Sequence, residues 1–243
     1  MNKAHFKKKI VFTLILVVCL ILFNSGCGLD VVYVLEEPKL ANDYNMPECT
    51  ENNNGENIVF SFTTNESARP DGVMKGTNVY YRIFKNYTEM QNCVDYLVNL
   101  SDPTKDNYLQ SALTMIDSKK FVRLCKNSST SDFLIPYTGS NRTVTICLFE
   151  LNSIQAEIKV ANSGEGVPTR NISGEQLAFT FPENYDYDSD VDIDISFTGS
   201  SDSDFNNNWY ACLFAVSEGR DTSYVPQYSN IVYLGAVKLP VTY

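Results

Sequence analysis

The chain has 243 residues, of which 44% are apolar, 12% aromatic and 20% charged, with a formal net charge of −10. The acidic balance excludes a nucleic-acid partner, which needs basic patches, and the composition is neither disordered nor fibrous. The single histidine, His5, lies close to the N-terminus. The rest of the chain therefore lacks the imidazole that Ser-His-Asp or Cys-His catalysis, His-ligated zinc and histidine proton relays require.

Lys3, Lys7, Lys8 and Lys9 precede an apolar run from Ile10 to Phe23, followed by Asn24, Ser25, Gly26 and Cys27. The run of 14 residues falls short of the ~20 needed to cross a bilayer. Its order, basic then apolar then small, is that of an export signal. Ser25-Gly26-Cys27 resembles the lipobox of bacterial lipoproteins; Asn24 stands where an aliphatic residue is usual, with Leu22 and Phe23 just upstream as in spirochaete-like lipoboxes. The resemblance implies a signal peptide over 1–26, cleavage before Cys27, and acyl chains of the palmitate type on that thiol. Two or three such chains hold a protein durably at a membrane, here the cell membrane or outer membrane, facing periplasm or exterior. A plain secretory signal cut near Gly26 and an uncleaved anchor are the alternatives. Removing 1–26 leaves 217 residues and takes away four of the 19 basic residues and none of the 29 acidic ones, for a mature charge of −14.

Residues 27–56 read as a tether: Pro38, Pro47 and the run Glu51-Asn52-Asn53-Asn54-Gly55 break any period. Alternating Ile58, Phe60 and Phe62 predict a strand over 57–64, and a second follows over 78–84; the intervening Pro70-Asp71-Gly72 suggests that the two pair antiparallel. A two-helix insertion near 88–117 comes next. Thr88 and Gln91 fit a capping box, with Met90, Cys93, Val94, Leu97 and Val98 on one face. Pro103 opens a second helix with the stripe Tyr108, Leu109, Ala112, Leu113 and Ile116.

Beyond Lys120 the pattern predicts strands over 121–124, 143–151, 155–160, 176–181, 190–198, 209–217 and 231–239, separated by Ser, Asn, Gly and Asp. Many short strands at close spacing predict a mainly β chain folded as an antiparallel β-sandwich. A faint echo between 60–84 and 195–214 fits two related modules, 57–163 carrying the helical insert and 164–243, or a coincidence within a single β domain 57–243. Tyr210 to Val216, the loop Gly219 to Ser229 and the strand Ile231 to Leu239 are weakly similar to the end of a fibronectin type III module.

Asp186, Asp188 and Asp190 have the opening spacing of an EF-hand calcium loop, but Val191 occupies the glycine position and Phe197 the glutamate position. The competing reading places Asp192 and Asp194 on the wet face of a strand, alternating with Val191, Ile193 and Ile195. Tyr224 and Tyr228, beside Pro226, offer rigid aromatic contact area as ligand-binding candidates. Five cysteines follow Cys27, none in a C-x-x-C pair, which disfavours a zinc knuckle or a thioredoxin motif. No P-loop or dinucleotide fingerprint appears, and no cofactor is expected. Taken together, the expectation is a lipid-anchored, non-catalytic cell-envelope protein. It would be held to the membrane through its N-terminal lipid and bind a protein or glycan partner through its β-sandwich loops. A structural accessory subunit of an envelope complex and a carboxylate-based glycoside hydrolase are the alternatives.

Overall fold

The computed structural model describes residues 34–51, 53, 55–66, 73–127, 131–182, 190–196, 208–221 and 223–242. In chain order the strands are Lys39–Leu40 (β1), Val59–Thr63 (β2), Met74–Phe84 (β3), Val122–Arg123 (β4), Cys125–Lys126 (β5), Ile135–Pro136 (β6), Thr143–Cys147 (β7), Glu157–Val160 (β8) and Ser163–Gly166 (β9). They continue with Pro168–Ile172 (β10), Glu175–Leu177 (β11), Phe181–Pro182 (β12), Ile193–Asp194 (β13), Trp209–Arg220 (β14), Pro226–Tyr228 (β15), Val232–Leu239 (β16) and Val241–Thr242 (β17). One helix, Tyr87–Leu100 (α1), lies between β3 and β4. It is followed by a 3-10 turn at Tyr108–Gln110, a single α turn at Ser111–Leu113 and a π turn at Thr114–Ser118. The chain is mainly β, with antiparallel sheets and a helical insertion, as the sequence predicts.

Two sheets dominate. One has the order β1-β2-β7-β8-β9, antiparallel throughout. The other is built on β3 and β14, antiparallel from Tyr210 opposite Phe84 to Gly219 opposite Met74. The far edge of β14 carries β16 and then β15; the far edge of β3 carries β13 in parallel and short antiparallel pieces from β4 and β6. The expected pairing of 57–64 with 78–84 does not form, because β2 and β3 belong to different sheets. A boundary at residue 163 would also fall between β3 and β14, the longest pairing in the fold.

Strand periodicity explains the layering. In β14, Trp209, Ala211, Leu213 and Ala215 point into a core shared with Phe60, Phe62, Val144, Ile146 and Ile158 of the five-stranded sheet. The alternate residues Tyr210, Cys212, Phe214 and Val216 enter a second core, against Met90, Val94 and Leu97 of α1 and Ala112 and Met115 of the following turns. A strand buried on both faces reads as a continuous apolar run, which is the character of 209–216.

Helix α1 begins two residues earlier than the capping box suggests. Asn86 is extended and its Oδ1 accepts the Glu89 amide at 3.0 Å, so Asn86 rather than Thr88 is the N-cap. Val98 leaves the expected face and is exposed, while Met90, Cys93, Val94 and Leu97 are buried. Pro103 opens no helix: Asp102 accepts the Thr104 amide in a side-chain turn, and helical structure resumes only at Tyr108. There Ala112 and Met115 pack inward while Leu109 and Leu113 face solvent, because the segment passes from a 3-10 turn through one α turn into a π turn and keeps no regular 3.6-residue period.

Residues 34–51, expected as part of a spacer, strap the body instead. Leu35 and Cys49 are buried, β1 extends the five-stranded sheet, and the Tyr44 hydroxyl donates to the Leu234 carbonyl. A bulge between Leu213 and Phe214 of β14 and their partners on β16 leaves Gly235 at φ +120. A Cβ there would lie 2.6 Å from the Pro47 carbonyl oxygen, so only glycine admits the strap; that same carbonyl accepts the Ala236 amide at 3.0 Å. The helix packing gives a direct test. Leu97→Ala, at a site with no solvent exposure, should lower unfolding free energy by about 2–5 kcal/mol in urea titrations. Val98→Ala, one position on, should stay within about 0.5 kcal/mol; equal losses at the two positions would contradict the assigned face.

Candidate functional site

The carboxylate-rich segment is placed unlike its sequence pattern. Asp186 and Asp188 lie outside the described residues. Of the remainder, Asp192 has no solvent exposure and Asp190 is buried, whereas Val191 is 66% and Ile195 47% exposed. The wet-face reading of Asp192 is therefore reversed. The strand alternation fails because the segment turns at Asp190–Ile193, where the Ile193 amide donates to the Asp190 carbonyl at 3.2 Å, and only Ile193–Asp194 continue as β13.

Arg170 of β10 is the reason the buried aspartates are tolerated. Its Nε and Nη2 donate to the two Asp192 oxygens, each at 2.7 Å, and Nη2 also donates to Asp190 at 2.7 Å. The Tyr81 hydroxyl donates to the same Asp192 oxygen, also at 2.7 Å. The guanidinium lies 5.0 Å from the Phe181 ring centroid. Burial alone would lower the Arg170 pKa, but the Asp192 and Asp190 carboxylates outweigh it and hold the charge on. Burial, then the negative charge of Asp192, pushes the Tyr81 hydroxyl well above its usual value, so it stays a donor. An arginine is thus the cation beside Asp190, the one residue of the calcium candidate Asp186, Asp188 and Asp190 within the described range. Among the described residues no cluster of three or more His, Cys, Asp or Glu side chains is arranged to hold a metal.

Asp194 turns the other way. It faces a cleft of about 290 Å3 bounded by the end of β3, β13, α1 and the residues after the π turn. Arg82 Nη2 donates to Asp194 at 2.9 Å, and Arg82 Nη1 donates to the Lys120 carbonyl at 3.0 Å, so one guanidinium ties two walls together. Burial would raise the Asp194 pKa, but hydrogen bonds from Ser196 and the Arg82 charge prevail and hold its carboxyl below the usual range. Lys119 lies across the cleft with its Nζ 4.6 Å from the Tyr96 ring centroid. Glu89 and Asn92 of α1 complete the polar lining. Cys93 lines the same wall; burial dominates over the nearby Lys119 and Arg82 charges and pushes its thiol up, away from the thiolate that nucleophilic chemistry needs. Along with Cys49, Cys125, Cys147 and Cys212 it is a free thiol.

The two tyrosine candidates separate. Tyr228 on β15 is half-buried against the second core, and its hydroxyl is pushed up by burial and then by Glu218. Tyr224 is 77% exposed and sits next to Val225, itself exposed, in the loop joining β14 to β15. Asp221 rigidifies that loop: Oδ1 accepts the Ser223 and Val225 amides, each at 2.8 Å, and Oδ2 accepts Gln227 Nε2 at 3.3 Å. Backbone bonds of 3.1 Å from the Asp221 amide to Val225 and from the Tyr224 amide to Asp221 close the turn. Tyr224 has φ +63, a left-handed conformation uncommon for a bulky side chain and costly by about 1–3 kcal/mol. Lipidation at Cys27 concerns a residue outside the described range. No helix among the described residues is long and apolar enough to cross a membrane.

Sequence reasoning marked Asp190, Tyr224 and Tyr228 but missed Arg170, Arg82 and Lys119. The available signal was charge accounting: an Asp-rich run beside a buried strand requires a cation, and Arg170 lies on the strand that supplies one. No protein-family model matches the chain, and neither a curated protein nor a solved structure matches it.

Removing Arg170 leaves two buried carboxylates without compensation. Arg170→Met should therefore cost about 3–5 kcal/mol of stability by urea unfolding. Adding Asp190→Asn and Asp192→Asn should recover part of the loss; a triple variant no more stable than Arg170→Met would rule out charge burial as the cause.

Proposed function

We propose that this is a lipid-anchored cell-envelope protein whose body, a β-sandwich of the two large sheets, binds a protein or glycan partner without catalysing a reaction on it. The anchor rests on the order of the N-terminal residues, ending in Ser25-Gly26-Cys27. The binding role rests on one observation, the strained and exposed Tyr224 at the end of a loop that Asp221 fixes in place.

Strain in a rigid exposed loop has a physical use. A tyrosine held in one orientation loses little conformational entropy when a partner covers it, and it offers both a flat apolar face and a hydroxyl. The long β14 ladder behind the loop supplies the rigid base. Neighbouring Val225 widens the apolar contact, and the Arg220 guanidinium donates to the Tyr224 carbonyl at 3.5 Å, adding polar character at the rim. A hydrophobic centre with a polar rim is the anatomy of recognition surfaces.

Two experiments test the two halves of this reading. Labelled palmitate should enter the full-length protein in a bacterial host and be lost in Cys27→Ala; a labelled variant would refute the anchor. A glycan array and a surface-protein array probed with the detergent-solubilised protein should yield a ligand whose affinity falls at least about tenfold in Tyr224→Ala. The fold should be intact in that variant and its stability little changed, because alanine keeps the Cβ that makes a left-handed residue costly. A ligand bound equally well without the Tyr224 ring would place recognition elsewhere.

A further inference from the structure

The geometry points to a second, independent site: the cleft between Arg82–Asp194 and α1 binds a small zwitterion that carries both an ammonium and a carboxylate group, of the size of a free amino acid. Its volume, about 290 Å3, sits at the lower limit of small-ligand pockets, roughly 300–1,000 Å3. A peptide or oligosaccharide is too large to be enclosed.

Charge narrows the choice further. Arg82 and Lys119 contribute two cations, Glu89 and Asp194 two anions. A plain anion would meet two carboxylates and a plain cation two basic groups, while a molecule bearing both signs finds a partner for each. Arg82 is committed to Asp194 and to the Lys120 carbonyl. Lys119 is different: its ammonium lies over Tyr96 and pairs with no carboxylate among the described residues. The ring holds that ammonium at the wall of the cleft, a cation–π contact that positions the charge without neutralising it. A ligand carboxylate completes it.

The acidic side is built to receive an ammonium. Asp194 accepts Arg82 and the Ser196 amide, the latter at 2.9 Å, and is held ionised by them. Carboxylate oxygens have lone pairs beyond those two bonds, and Asn92 adds an amide on the same side of the helix as Glu89. The π turn matters for the geometry. Lys119 donates its amide to the Thr114 carbonyl at 2.9 Å, five residues back, and the wider turn delivers Lys119 to the cleft. Such turns occur often at functional sites. The site does not involve Tyr224, so its failure would leave the proposed partner-binding loop untouched.

The test is calorimetric titration of the full-length protein in detergent micelles with the free proteinogenic L-amino acids, with glucose as a polyol control. At least one amino acid should bind with Kd of about a millimolar or tighter. Its N-acetyl derivative and its methyl ester, each lacking one charge, should bind at least about tenfold more weakly. Lys119→Met should weaken the free amino acid by a similar factor while Lys119→Arg restores most of the affinity, both with unchanged thermal midpoints. Absence of binding by every amino acid, equal binding of the blocked derivatives, preference for glucose, or indifference to Lys119→Met would each overturn the inference. The blocked derivatives keep the test decisive even where a variant proves unstable.

Discussion

Burial of β14 on both faces is the constraint on which the rest of this molecule depends. Its backbone is paired on one edge to β3 and on the other to β16 and β15, so its polar groups are satisfied without water. Its side chains then divide strictly by parity between the sheet–sheet core and the sheet–helix core. Each core is closed on its far side by other elements: α1 and the π turn on one side, the five-stranded sheet on the other. The cleft and the Tyr224 loop both lie where elements packed on this ladder meet solvent, which gives them rigid walls.

Charge burial is the second organising feature. Arg170, Asp190 and Asp192 are all nearly excluded from solvent, an arrangement that gains little net stability over apolar packing but is costly to break in half. Its effect is positional. The fork of Arg170 fixes Asp192, the Asp192 carbonyl accepts the Ile83 amide at 3.0 Å, and β13 is thereby set on the edge of β3 with Asp194 facing the cleft. A third carboxylate, Glu66, is equally buried and accepts the Thr138 and Gly139 amides and the Arg142 guanidinium. Burial would raise its pKa, but these donors lower it. Its contribution is thus complete above the ordinary carboxylate range and fades as pH falls below it.

Much of the architecture was legible. Alternating Phe60 and Phe62, the apolar run at 209–216 and the periodic face of α1 all announced their elements, because each is long enough for its period to show. Strand β8 falls within the expected 155–160, but β9 and β10 were not foreseen. The β8–β9 and β10–β11 hairpins turn on Ala161-Asn162 and Ser173-Gly174, all four at positive φ, and β9 and β10, of four and five residues, carry too few side chains to display alternation. The strap was hidden for another reason: Pro47 and Asn45 look like loop residues and are loop residues, yet their carbonyls are used by Ala236 and Asn57. Of the candidate sites, Tyr224 was visible as an exposed-type residue in a turn-rich stretch. The cleft was not, since Arg82, Lys119 and Asp194 come from three separate stretches of chain, and the Asp192 inversion depended on Arg170, more than twenty positions upstream.

The strap carries a consequence for biogenesis. Tyr44 bonds to Leu234 across a separation of 190 positions, and β3 is completed only by β14. A ribosome adding roughly 5–20 residues per second releases the early strands many seconds before their partners exist. Until the last stretch emerges, β3 lacks β14 along one edge and the strap has no groove. The five-stranded sheet can pair once residue 166 has emerged, but the native topology is complete only when the last strands of the chain are released.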